Sequence, residues 1–172
     1  MKRVAATLGM AAVVMMTASV FAQAPNFAGK WTRDAEKTAA AAPAGAPAGG
    51  GGGGRAGGGG GGMGGGDITI TQDAKSLVIS RLVQEMEMKT TYNLDGSESK
   101  NTGMGRGGAP GVEQVSTAKW DGAKLVVTTT MANGTGTTVY AMDSAWLVQT
   151  TTNPGRDGGP GTPRATYFKK AQ

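Results

Sequence analysis

The stretch 121–148 reads DGAKLVVTTTMANGTGTTVYAMDSAWLV, and its punctuation decides the fold. Asp121-Gly122 opens it, Asn133-Gly134 interrupts it, and Asp143 restarts it; a Val- or Thr-rich run follows each. Asp and Asn side chains bond their own backbone at turns, and Gly accepts the positive φ that tight hairpins demand. Val and Thr then suit a pleated, half-buried surface. The unit Asp, three residues, Leu-Val occurs at Asp73 to Leu77-Val78, Asp121 to Leu125-Val126 and Asp143 to Leu147-Val148. A repeated turn-then-strand unit predicts an antiparallel meander.

Strands are predicted outward from this stretch over Phe27–Arg33, Ile68–Gln72, Leu77–Gln84, Met86–Leu94, Ser97–Thr102, Val112–Trp120, Lys124–Ala132, Thr135–Met142, Ala145–Thr152 and Arg164–Lys170. Alternation is cleanest at Met86, Met88, Thr90, Tyr92 and Leu94, and again at Leu125, Val127, Thr129 and Met131. Ala35–Ala42 has room for a turn or two of helix before Pro43. The fold class is all-β: an up-and-down meander of about ten strands closed into a barrel. Around eight strands the interior is just filled by side chains, and ten leave room. A hollow ring and a flattened, packed barrel both fit the residues.

Two segments stand apart from the core. Lys2 and Arg3 precede an apolar run from Val4 to Val20 that ends in Val20-Phe21-Ala22. A positive start, a short apolar run and small residues at the cut predict a signal peptide over residues 1–22. Pro25 disfavours cleavage after Ala24, so the cut is expected after Ala22, with export to the periplasm or the exterior. No transmembrane segment is expected after that removal. The second segment, 39–66, is Ala/Pro-rich and then Gly-rich, and more than half of the 31 glycines lie between Gly45 and Gly66. Glycine loses much backbone freedom on ordering and buries no side chain. A disordered insert in a single domain, 23–172, is expected.

Composition removes several function classes. The formal charge of +5 falls to +3 once Lys2 and Arg3 leave, and the remaining cations are scattered, unlike a nucleic-acid footprint. The chain has no Cys and no His, which removes thiolate and imidazole metal sites and the His general base. No metal or cofactor is expected. Glu85, Glu87 and Lys89 read as a solvated charged face rather than an acid–base pair. No Gly-x-Ser-x-Gly elbow is present. Met86 and Met88 read as core filler rather than a soft-metal pair. A non-catalytic role is expected.

Asn26-Phe27-Ala28-Gly29-Lys30-Trp31 resembles the Gly-x-Trp start of the calycins, the lipocalins and fatty-acid-binding proteins. Arg164-Ala-Thr-Tyr167-Phe-Lys-Lys is similar to the Arg-bearing last strand of that superfamily. The resemblance implies a lipocalin-like barrel in which Gly29 and Trp31 close the floor and Trp31 packs on Arg164. A closer likeness is to uncharacterised exported bacterial proteins with Gly-x-Trp, a Gly-rich insert, repeated Asp-Gly hairpins and a Tyr-x-Lys-Lys end. The Arg-x-Tyr carboxylate clamp of fatty-acid-binding proteins does not carry over. Arg164 and Tyr167 stand three apart, on opposite faces of a regular strand.

Strand parity adds one site. In a ten-strand meander the connections alternate between the ends, so the Gly-rich insert, Gly103–Gly111 and Asn153–Thr162 share one mouth. They carry Arg55, Arg106 and Arg156, candidate contacts for a small apolar, amphipathic or anionic ligand, since loops often carry binding. The alternative is a cell-envelope interaction protein with a packed barrel and the Gly-rich loop as its contact segment.

Overall fold

The computed structural model describes residues 24–42, 66–83, 86–104, 110–155, 158–159 and 161–172. Ten strands appear in it: β1 (Gly29–Asp34), β2 (Ile68–Gln72), β3 (Ser76–Val83), β4 (Met86–Asn93), β5 (Glu98–Met104), β6 (Pro110–Asp121), β7 (Lys124–Met131), β8 (Gly134–Asp143), β9 (Trp146–Thr152) and β10 (Arg164–Lys170). One short helix, α1 (Ala35–Ala40), follows β1. The strands form one antiparallel sheet in the order β4-β3-β2-β1-β10-β9-β8-β7-β6-β5, so the first strand pairs with the last. The resulting barrel is nearly closed.

Its seam lies between β4 and β5, the only consecutive strands that share no backbone ladder. Side chains take the ladder's place. The Asn101 amide accepts from the Thr91 N–H at 2.8 Å and donates to the Thr91 carbonyl at 2.9 Å, copying what a neighbouring peptide would offer. Ser99 Oγ accepts from the Asn93 N–H at 2.7 Å, and Asn93 Nδ2 donates to the Glu98 carbonyl at 2.9 Å. The strand read from sequence over Ser97–Thr102 is observed as Glu98–Met104, and its side chains bridge the seam.

The Asp121 and Asp143 turns sit one residue later than their signals suggest, and the Asn133-Gly134 turn sits one residue earlier. Asp121 and Asp143 end their strands, and the reversals are Gly122-Ala123 and Ser144-Ala145. The positive φ values fall at Gly122 (58°) and at Ser144 (55°), where a short polar side chain tolerates the left-handed region. The β7–β8 reversal is Ala132-Asn133, with Met131 opposite Gly134. Asp73 works as the repeat predicts: its carboxylate accepts from the Lys75 and Ser76 N–H groups at 2.7 Å each. These two N–H donors, with the Ser76 hydroxyl, hold its carboxyl below the usual range. The Ser97 hydroxyl and N–H do the same for Asp95.

α1 begins at Asp34, whose carboxylate accepts from the Lys37 N–H at 2.7 Å as an N-cap. The helix folds back against the outer wall. Thr38 Oγ1 accepts from the Tyr167 N–H, and the Lys37 ammonium lies 4.7 Å and 4.9 Å from the Trp146 and Tyr167 ring centroids. Lying outside β9 and β10, α1 does not cap the barrel. None of the helices among the described residues is long and apolar enough to cross a membrane.

Alternation sorts the wall. Inward positions near the β2–β3, β4–β5, β6–β7 and β8–β9 turns hold Phe27, Trp31, Ile70, Leu77, Leu125, Leu147 and Phe168, all essentially solvent-free. The other, loop-bearing end holds the C-terminal ends of β1, β3, β5, β7 and β9 and the N-terminal ends of β2, β4, β6, β8 and β10.

Candidate functional site

The closed end is built around Phe27 and Trp31. Trp31 is 2 % exposed, and its indole N–H donates to the Phe27 carbonyl at 2.8 Å. Phe27 in turn donates its N–H to Gln72 Oε1 at 2.8 Å and stacks obliquely on Trp120 at 5.6 Å. Gly29 has φ +139°, and a Cβ there would meet Lys170 Cε at 3.2 Å, so glycine serves both conformation and approach.

The cation over Trp31 is Lys170, with Nζ 5.8 Å from the ring centroid. The pairing of Trp31 with Arg164 expected from the resemblance is corrected here. Trp31 stands opposite Lys170, whereas Arg164 stands opposite Thr151 at the far end of β10. Six residues at about 3.3 Å rise separate them by roughly 20 Å. Arg164 is exposed near the loop-bearing end. Arg55, Arg106 and Arg156 lie outside the described residues.

Midway up, two side-chain bridges cross the interior. Arg81 continues the inward set of Leu77 and Ile79 on β3, and its Nη2 donates at 3.0 Å to Gln149 Oε1 on β9, four strands around the wall. Tyr92 on β4 and Tyr140 on β8 meet through their hydroxyls. Burial raises both phenols, Tyr140 far more strongly, and Tyr92 raises Tyr140 further; the Arg81 charge opposes the shift in each without reversing it. Both stay neutral hydrogen-bonding groups at physiological pH. Among the described residues, the ion pairs Glu87–Lys89 at 3.3 Å and Glu113–Lys100 at 3.4 Å are exposed on the outer wall. Among the described residues, no carboxylate lies within ion-pair distance of Arg81.

Above the bridges the inner wall changes character. Ser116 Oγ and Thr129 Oγ1 meet at 2.8 Å across β6 and β7, and Thr138 and Thr151 hydroxyls at 3.3 Å across β8 and β9. Thr129, Thr138, Thr151, Met88 and Arg81 are only half-buried, unlike the sealed residues below. The lower half is packed with apolar side chains, and the upper half carries polar inward side chains, several of them half-buried.

Arg81 and Gln149 were not singled out from sequence, although a signal existed. Arg81 stands two residues beyond Ile79, and Gln149 two beyond Leu147, each on the inward parity. Among the described residues no three carboxylates gather as a metal site would require.

The raised tyrosines make a pH prediction. A phenol whose folded pKa exceeds its unfolded value contributes stability that is fully present below the unfolded pKa, about 10. That contribution is lost as pH rises through the folded value. Melting temperature should therefore fall between pH 9 and 12, and Tyr140→Phe should shallow that fall; parallel slopes would show that the Tyr140 hydroxyl is not sheltered.

No known protein family matches the chain. No curated protein matches it either. Solved structures do. The wild-type fluorescent protein UnaG is similar at a TM-score of 0.51 and 17% identity, covering 84% of this chain and 97% of that one. A point mutant of UnaG is similar at 0.51 and 18%, covering 85% and 96%. The zebrafish ileal bile acid-binding protein, crystallised with cholic acid, reaches 0.48 at 17%, covering 61% and 72%. The UnaG matches, with the ten-strand meander and its first-to-last pairing, make the fold a calycin-type barrel.

Proposed function

We propose that the protein is an exported, non-catalytic barrel that holds a small amphipathic molecule in its upper half. One observation carries the reading: the inner wall passes from a sealed apolar floor to a lining of hydroxyls, an amide and a guanidinium, with Arg81, Thr129, Thr138 and Thr151 half-buried. A barrel serving only as a scaffold gains nothing from an inward-facing, half-buried Arg without a carboxylate. Pockets that hold small molecules combine apolar surface with a few placed polar groups. In this reading Arg55, Arg106 and Arg156 belong to loops around the opening, and export follows from the N-terminal residues.

The alternative, an envelope interaction protein, draws on the exposed rim: Leu82 is 68% exposed and Val112 84%, both at the loop-bearing end. Native mass spectrometry of the protein purified from its own host separates the two. A retained small molecule supports the proposed function, a co-purifying protein supports the alternative, and the bare chain contradicts ligand retention.

A further inference from the structure

Resting on that ligand-holding reading, we infer that the ligand is a compact, oxygen-rich carboxylate rather than a long unbranched alkyl chain. Depth is the first reason. The Tyr92–Tyr140 and Arg81–Gln149 bridges cross the barrel, and Leu77, Leu125 and Leu147, at or below their level, have no solvent-accessible surface. Above the Arg81–Gln149 bridge, β3 offers one further inward step at Val83, while on β8 the step beyond Thr138, Gly136, is buried against the Met131 side chain. At roughly 7 Å per inward step the wall rises only about 7 Å above that bridge before Met131 covers it. A long straight chain would have to displace the packed floor.

Lining is the second reason. Each hydroxyl has one donor and two acceptor sites. In the Ser116–Thr129 and Thr138–Thr151 pairs a single proton serves the contact, so each pair keeps a second proton and spare lone pairs. Gln149 Nε2 reaches Thr151 at only 3.5 Å, a weak use of that donor. An alkyl chain would desolvate these groups and return nothing, whereas ring hydroxyls or carbonyls would satisfy them. The Arg81 guanidinium has five N–H donors, one of them directed to Gln149. The remaining fork fits a carboxylate.

Calorimetric titration of the mature chain with caffeate, caffeamide and nonanoate tests this. These probes share a carbon number and differ in oxygen content and charge. Caffeate should bind at least about tenfold more tightly than nonanoate, the worth of one to two hydrogen bonds. The isosteric pair Thr138→Val/Thr151→Val, which keeps β-branched side chains in the strands, should bring the two within about threefold. Arg81→Gln should weaken caffeate about tenfold and leave caffeamide unchanged, while Arg81→Lys restores part of the loss. A melting curve on each variant confirms the fold. Tighter binding of nonanoate, or a preference unaffected by the Thr substitutions, overturns the inference while the ligand-holding reading stands. Failure of all three probes to bind also overturns it. The reading beneath falls too only if the host-purified protein carries no small molecule.

Discussion

Trp31→Ala is expected to cost about 3–5 kcal/mol of unfolding free energy, the range for large aromatic truncations in packed cores. The ring is 2 % exposed, stands opposite Ile68 on β2 and Lys170 on β10, and anchors Phe27 through its indole N–H. Removing it opens a cavity where the first and last strands pair and releases the segment that plugs the floor. Trp31→Phe keeps most of the apolar surface but leaves the Phe27 carbonyl without its donor, so a further cost of about 1–2 kcal/mol is expected beyond the volume change. Arg164→Ala should fall within about 0.5 kcal/mol of the parent, as an exposed substitution remote from the ring. Urea denaturation of the three variants checks this. A Trp31→Ala cost below about 1 kcal/mol would show that the ring does not pack the floor, and an Arg164→Ala cost matching a large Trp31→Ala cost would restore the Trp31–Arg164 pairing that the register excludes.

Tyr140→Ala is the second large effect, at about 3–5 kcal/mol by analogy with other buried aromatics. Tyr140 is 2 % exposed, stands opposite Leu125 and Gln149, and spans the interior to Tyr92. Its truncation removes core volume and strands the Tyr92 hydroxyl. Tyr140→Phe isolates the polar part and should cost about 1–2 kcal/mol, the scale of losing one buried hydrogen bond. A double-mutant cycle with Tyr92→Phe should show the two losses to be non-additive, since either substitution alone breaks the same contact. Strict additivity would mean that the phenols do not meet.

Much of this architecture was legible in the chain. The Asp-x-x-x-Leu-Val repeat and the alternation at Met86–Leu94 and Leu125–Met131 prescribe a meander, and β10 keeps the bounds Arg164–Lys170 read from its residues. Local chemistry suffices there because a turn and a period-two pattern are properties of neighbouring residues. What escaped depends on register between distant segments. Whether Trp31 meets Arg164 or Lys170 is decided by how β1 slides on β10, and a slide along the strand leaves the inward pattern intact. Arg81 reaches Gln149 across 68 positions of sequence, a contact set by the curvature of the whole barrel. The seam escaped as well, because Asn101 and Ser99 read as ordinary polar strand residues until the missing ladder between β4 and β5 gives them a task.

The central claim is that the upper interior, above the two bridges, is where a small molecule sits. Two-dimensional amide NMR of the mature chain titrated with an anionic amphiphile such as 1-anilinonaphthalene-8-sulfonate tests it most directly. The expected result is saturable shifts at Arg81, Thr129, Thr138, Gln149 and Thr151, with Leu77, Leu125 and Leu147 unmoved. Shifts confined to outer-wall residues such as Trp146 and Tyr167, or no saturable shifts at all, would contradict it.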